Sequence, residues 1–551
     1  MQNQSVTLDA VVPVFGRKAV LQLSPDQKMF CFLAFMVALW TLLCALSHQS
    51  PDVDGMEQLV WSASLELGYY KHPPFPSWIM YVLTQLFGRP YWLSFFAGML
   101  ASTTGLWFVW LLGKEITTIR NAFIATALVS TTIYFSSRGT IFNHNTAQFW
   151  SITASTWLLY RALRYQKIST WFWLGLVSAL AVMTKYSIVI QWTGFFLFML
   201  RQRCYGQVQT WKGLAMATLS FTIFVSPHFF WLFDNQFLPL GYANDSIEAT
   251  SHLQSLVLIV HFVLDQLARL SPMLVIWLAW FWWTRRATNL RTAINIPAAR
   301  PFHAGDLETP ATGQERPVRY YHHFDAWDRS FILWVGLTPV IATTLASAML
   351  GTRLIASWAT TFFVLYGFFV LWWLHGPPRT VFRRIIILVI GVHILMAVGY
   401  ALGRGPLAWH SARDSRSVFP SAQVSMLMQR VWFDHVADHP LRLVAASTWL
   451  GGSVAIHADR NTQVFSNGRF MESPWLAPDG ALDCGMLVVY TSLWGGPTLE
   501  LLKLHAQATW QGETSLHWSN EKSTLINLHW GVIPPGPNCR QAEAEVRAQG
   551  L

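Results

Sequence analysis

From Met29 to Gly403 the chain alternates long apolar runs with short polar connections. A membrane-crossing helix needs about 20 apolar residues at a rise of about 1.5 Å each, and connections on the inner side of a membrane collect Lys and Arg. By these rules Arg17, Lys18 and Lys28 place the amino terminus inside. A first span at 29–47 opens into an outer segment, 48–76, that is rich in acids, Pro and Tyr and has Lys71 as its one lysine. The first outer loop as a whole extends to 90, where a span at 91–112 returns to Lys114 and Arg120. Spans at 121–137 and 145–162 frame the outer turn RGTIFNHN and end at the basic RALRYQK.

The run Trp171 to Leu200 has basic clusters on both sides and Lys185 inside it. As one helix it would reach roughly 45 Å, beyond a hydrocarbon core of ~30 Å. Equal flanks also require an even number of crossings, so the pattern predicts two short helices meeting outside at Thr184-Lys185-Tyr186. A span at 213–231 leads to the outer segment PHFFWLFDNQFLPLGYANDS, and another returns to Arg285 and Arg286. The polar stretch 285–328 reads as a largely irregular cytoplasmic loop. Spans at 330–350 and 356–374 enclose the outer GTRLIAS, and a last one at 384–402 follows HGPPRTVFRR. About eleven spans result, an odd number that leaves the tail outside.

At about Arg404 the pattern changes, and residues 404–551 read as a separate soluble domain after a membrane domain of residues 1–403. Short β-rich runs, LRLVAA and MLVVYTS, alternate with the helix-like SAQVSMLMQRVW and PTLELLKLHA, which predicts a small α/β unit. An outer, oxidising location permits a Cys484–Cys539 disulfide. Cys31, Cys44 and Cys204 fall in or beside the spans and need no role beyond packing.

Composition agrees with this division. Only 12% of the 551 residues are charged and 53% are hydrophobic, against roughly 25% charged in soluble chains. The net charge of +10 does not indicate nucleic acid, because the basic residues sit between apolar runs where inner loops place them. The first apolar run is long enough to span and lacks a nearby small-residue cleavage site, so it reads as a retained helix.

Candidate chemistry concentrates in the first outer loop. Asp54 and Glu57 are three residues apart and share a face if the stretch is helical. Leu59, Trp61 and Leu65 follow as a pattern suited to the membrane surface. Tyr69-Tyr70-Lys71-His72 then meets a double proline that stops the helix. Carboxylates beside cations at a membrane surface suit sugar transfer from a lipid phosphate, with a base for the acceptor and positive charge for the leaving group.

The DxxE at 54–57 followed by LGYYKHPPFPSWI resembles the first periplasmic loop of the bacterial GT-C glycosyltransferases, the group of the protein O-mannosyltransferases and the lipid A aminoarabinose transferase. FNHN at 142–145, MTKYS at 183–187, SPHFFWLFDNQFLPLGYA at 226–243 and GTRLIASW at 351–358 extend the resemblance. It implies a bacterial inner-membrane enzyme that moves a sugar, with inversion, from a polyprenyl-phosphate carrier such as undecaprenyl phosphate to a periplasmic lipid, glycan or protein acceptor. Asp54 then takes the place of the essential first-loop acid and Glu57 that of its neighbour. Lys71 and Lys185 correspond to lysines expected near the carrier phosphate. The chain departs from many members at Asn143-His144-Asn145, where they carry a second acid, which leaves a divalent metal ion an open question.

His72 and Arg353 are further candidates for phosphate, and His72 and His144 for phosphate or a metal, although a single loop histidine is more often structural. Tyr70, Asn143, His144, Asn145, His228 and Asp234 are candidates for the acceptor vestibule, His228 and Asp234 competing with a reading as solvated loop residues. Arg138 reads as a helix-end anchor. No phosphate-binding glycine loop, zinc-type Cys/His spacing or Gly-x-Ser-x-Gly is present. Two rival classes remain: a transporter, disfavoured because the ionisable groups gather on one side and no repeat is visible, and a catalytically inactive envelope scaffold.

Overall fold

The computed structural model describes residues 23–293, 324–374, 379–477, 482–537 and 539. Along the first part run α1 (Pro25–Ser47), α2 (Val53–Trp61), α3 (Phe75–Phe87), α4 (Trp92–Ile116), α5 (Ile119–Ser130), α6 (His144–Tyr165), α7 (Ile168–Thr184), α8 (Ile188–Arg201), α9 (Val208–Asp234), α10 (Leu238–Asp245), α11 (His252–Ala293), α12 (Ala326–Leu350), α13 (Tyr366–Leu374) and α14 (Arg379–Arg404). Local sequence sets their ends. Ser24 and Gln27 form a capping box on α1, Asn143 caps α6, and Gly351 at φ 61° ends α12 in the left-handed region.

Among the described residues six helices are long and apolar enough to cross a membrane, from Pro25–Ser47 to Val381–His410. Ile119–Ser130, Ile168–Thr184 and Ile188–Arg201 are shorter apolar helices. Leu46, Leu253, Met349 and Leu395 are each 74–77% exposed, a display of bare apolar surface that suits lipid rather than water. Some buried polar groups link helices inside the bundle. His393 on α14 accepts from the Trp40 indole on α1 at 3.3 Å and meets Ser130 on α5 at 2.9 Å. Glycine lets backbones touch: a Cβ on Gly98 would lie 2.5 Å from the Gly139 oxygen, so α4 packs directly on the turn that leads to Asn143.

The helix break at Lys185 stands between α7 and α8. Other boundaries differ from the sequence reading. Helix α5 stops at Ser130, and 131–141 form turns rather than completing a span to 137. In 356–374 only a 3-10 turn, Ala356–Ala359, and the nine residues of α13 are helical. α11 continues through Arg285 and Arg286 to Ala293; no helix breaker intervenes before Pro297, so charge alone does not end the helix. The remainder of the 285–328 loop, 294–323, lies outside the described residues, as do Arg17 and Lys18.

After α14 come α15 (Pro406–His410), α16 (Ser421–His435), β1 (Leu443–Ala446), α17 (Thr448–Ala455), β2 (Gln463–Ser466), β3 (Met486–Tyr490), α18 (Leu499–Ala506), β4 (Trp510–His517) and β5 (Leu525–Ile533). The sheet runs β2-β1-β3-β5-β4, with β1 parallel to β2 and β3, and β5 antiparallel to β3 and β4. β1 and β3 are buried almost throughout, as parallel strands covered on both faces must be. Cys484 and Cys539 are joined by a disulfide, S–S 2.08 Å.

This domain clamps the first loop. Met56, Leu59 and Met80 share one core with Trp432, Val454 and Leu487. The Trp449 indole donates to the Pro51 carbonyl at 3.1 Å, and Arg89 donates to the carbonyls of Arg460 and Thr462 at 2.7 and 2.8 Å. Leu59 and Trp61 are therefore fully buried under the domain instead of lying on the membrane surface, and Leu65 falls beyond the end of α2. A protein surface competes for the same apolar face that a bilayer would take.

Candidate active site

α2 is a two-and-a-half-turn helix opened by Asp52 and closed before the turn that carries Tyr69 to Pro74. Three residues apart on this helix, the two acids meet different partners. Asp54 is exposed and accepts from the Asn143 amide at 2.8 Å. Glu57 is buried and pairs with Lys71 at 2.6 Å. Burial pushes the Glu57 carboxyl above its usual range, with the Lys71 ammonium opposing. Burial works against the Lys71 charge, but the Glu57 carboxylate more than offsets it and holds the lysine protonated beyond its ordinary range.

Asn143-His144-Asn145 is the hub of the site. The Asn143 carbonyl oxygen caps α6 by accepting from Thr146 N at 2.9 Å, which leaves its amide free to donate to Asp54. An aspartate here could serve as cap but could not donate, so the departure from the family pattern supplies a donor to the first acid. Lys185 donates to Asn145, and its backbone carbonyl accepts from Gln148 at 3.0 Å. Burial pushes the Lys185 ammonium down to about 8, with Asp54 opposing. His144 reaches the Pro73 carbonyl at 3.3 Å and packs against His72 with ring centres 3.9 Å apart and the rings tilted by 36°. Burial, with His144, Lys185 and Lys71 nearby, holds His72 well below its ordinary value and hence neutral.

Aromatic rings wall the site. Trp61 stacks on Tyr69 at 4.3 Å and meets His72 and His144 at 6.4 and 6.2 Å. Lys71 sits 5.2 Å from the Tyr70 ring centre and 5.9 Å from that of Tyr242. His228 lies inside α9 and is buried, not on a solvated loop, because the helix runs through Pro227 to Asp234. Its Nδ1–H donates to the Leu67 carbonyl at 2.7 Å, so Nε2 accepts from the Tyr186 hydroxyl at 2.9 Å. It thus brackets the first loop to the Lys185 turn.

The structure leaves two candidates apart. Asp234 is exposed at the end of α9. Arg353 pairs with Glu248 at 2.9 Å, both side chains more than half exposed, and no described contact joins it to the first loop. Sequence reasoning missed Tyr242, Trp61 as a ring platform, Gln148, and Glu472, whose charge reaches Glu57 and Tyr70 from the carboxy-terminal domain. Tyr242 stood within a motif already singled out, and Gln148 is one turn from His144 on α6; Glu472 carried no signal. Among the described residues no three His, Cys, Asp or Glu side chains gather as metal ligands. Asp54 and Glu57 are turned to an amide and an ammonium, partners that suit hydrogen bonds rather than a shared cation.

Residues 71–231 match the family model described as dolichyl-phosphate-mannose-protein mannosyltransferase. That stretch holds Lys71, the Asn143 turn and Lys185, and begins after the two acids. No curated protein matches in sequence. Among solved structures, ArnT from Cupriavidus metallidurans bound to undecaprenyl phosphate is similar with TM-score 0.58 at 11% identity, over 92% of this chain and 98% of that one. The same protein in the apo state gives TM-score 0.52 at 13% identity, over 91% and 97%. At such identity the shared property is the fold.

Proposed function

We propose that this chain, a membrane protein of the GT-C glycosyltransferase superfamily, transfers a sugar from a polyprenyl-phosphate carrier to an acceptor on the periplasmic side of a bacterial inner membrane. The observation that carries the reading is the assembly around Asn143-His144-Asn145, which ties Asp54 and Lys185 to one turn. A solved structure of the same fold, though distant in sequence, holds undecaprenyl phosphate. The carrier's prenyl chain can stay among the helices while its sugar phosphate reaches the site, so no nucleotide pocket is needed.

The reaction follows from charge. An acceptor hydroxyl or amine attacks the anomeric carbon and gives its proton to the Asp54 carboxylate, which Asn143 orients. The bond from the anomeric carbon to the phosphate oxygen breaks on the opposite face, which inverts the centre. The departing polyprenyl phosphate takes the electron pair, and the ammonium groups of Lys185 and Lys71 stabilise its added charge away from bulk water. Glu57 sets the position of Lys71 and prevents an unpaired buried ammonium in the resting site. The carboxy-terminal domain, periplasmic in this account, holds α2 through Trp449 and the shared core.

The test is transfer by purified full-length protein in nanodiscs from a defined polyprenyl-phosphate sugar. Release of polyprenyl phosphate that depends on the protein is expected. Flux of labelled solutes in proteoliposomes, with no release from any donor, would favour a transporter instead.

A further inference from the structure

Beyond the site of transfer, a cavity of about 470 Å³ opens where the 131–141 turns meet the end of α14. Its lining includes Arg138, Arg404, Arg413 and Tyr400, and two glycines, Gly399 and Gly403. The glycines are four residues apart on one face of α14, and a Cβ on either would meet nothing within 4 Å. Helix backbone therefore forms an open wall. The space is large enough to admit a phosphate group.

Charge in the cavity is unbalanced. Arg404 faces Asp52 at 3.9 Å, donates to Ser415 at 3.3 Å, and lies over the Tyr400 ring. Its place in the last turn of α14 also suits the helix dipole. Neither argument covers Arg138 or Arg413, which are exposed and form no ion pair among the described residues, Arg138 having the Tyr134 hydroxyl within the reach of its charge. Asp414, beside Arg413, accepts instead from Thr524 at 2.5 Å. Three guanidinium charges against one facing carboxylate leave two in excess. Anchoring at a membrane surface spreads such side chains outward; here they line one concavity. Like charges placed together are stable when an anion joins them, and guanidinium forks match phosphate oxygens in pairs.

We propose that this cavity binds the phosphate of a phosphate ester, a site distinct from the one marked by Lys71 and Lys185. None of its three arginines has a role in the transfer reaction above, so the two readings stand or fall separately. The ester comes either from a lipid headgroup, the cavity lying at the end of the last apolar helix, or from a soluble phosphate.

Native mass spectrometry of the full-length protein, exchanged into detergent with dioctanoyl phosphatidylglycerol, dioctanoyl phosphatidylcholine or inorganic phosphate, tests this. The wild-type protein is expected to retain phosphatidylglycerol over phosphatidylcholine, or to retain phosphate. The double variant Arg138→Gln/Arg413→Gln should lose that retention by about tenfold or more, with partial recovery in Arg138→Lys/Arg413→Lys. Retained lipid that resists millimolar phosphate identifies a headgroup, whereas phosphate binding without lipid preference identifies a soluble ester. Equal retention by wild type and the Gln variant, both with wild-type circular dichroism, would overturn the proposal.

Discussion

Glu57→Gln and Lys71→Met probe the same ion pair from its two ends and should fail differently. The Glu57 side chain is 9% exposed, that of Lys71 22%, and the charged atoms are 2.6 Å apart. At an effective dielectric constant of about 20, charges at that distance attract by roughly 6 kcal/mol, most of it offset by the cost of removing both from water. Breaking a buried pair from one side costs about 3–5 kcal/mol because the other charge is left stranded. Lys71 keeps some solvent, so Glu57→Gln should cost about 3 kcal/mol, read as loss of thermal stability in nanodiscs. Lys71→Met should cost less, because burial already favours a protonated, neutral Glu57. Donor binding reverses the order: Glu57→Gln removes a competitor for the Lys71 ammonium and should hold the carrier phosphate at least as tightly, while Lys71→Met weakens it about tenfold or more. Isothermal titration with a short-chain polyprenyl-phosphate sugar reads the difference. Wild-type donor affinity in Lys71→Met would refute the reasoning, since it would make the lysine a partner of Glu57 only.

Other consequences concern pH, the disulfide and orientation. Lys185 is cationic below about 8 and neutral above it, so kcat/KM for the donor should fall as pH rises through about 8; that limb should disappear in Lys185→Arg, and its persistence would assign it elsewhere. Replacing Cys484 and Cys539 by Ala should lower the stability of the carboxy-terminal domain by about 2–4 kcal/mol, and free alkylation of both thiols in unreduced protein would contradict the bond. A phosphatase fused after Leu551 should be active in the periplasm and one fused at 300 inactive; the reverse pattern would invert the orientation and remove the outer site.

How much of this was legible depends on the kind of force involved. The apolar runs marked helix positions because lipid imposes length and hydropathy, and the break at Lys185 followed from a run too long for one crossing. β1, β3, α16 and α18 appeared as local patterns, while β4 did not, since its mostly exposed residues are short of apolar signal; β5 is apolar along most of its length and its signal was missed. The pairing of Glu57 with Lys71 joins residues 14 apart across the irregular stretch that follows α2, and periodicity does not report such closures. Burial of Leu59 and Trp61 depended on α17, nearly 400 residues later in the chain, and an apolar helix face does not say what will cover it. The family resemblance marked Asn143 as a departure from an acid. Only the structure shows it as cap and donor at once.

The central claim is that Asp54 takes the acceptor's proton under the hand of Asn143. Asp54→Asn keeps the shape of the side chain and removes the base. Turnover by the purified protein, measured with a defined polyprenyl-phosphate sugar and acceptor at saturating donor, should fall by at least about a hundredfold, with donor affinity within a few-fold of wild type. Near wild-type turnover in Asp54→Asn would contradict the mechanism.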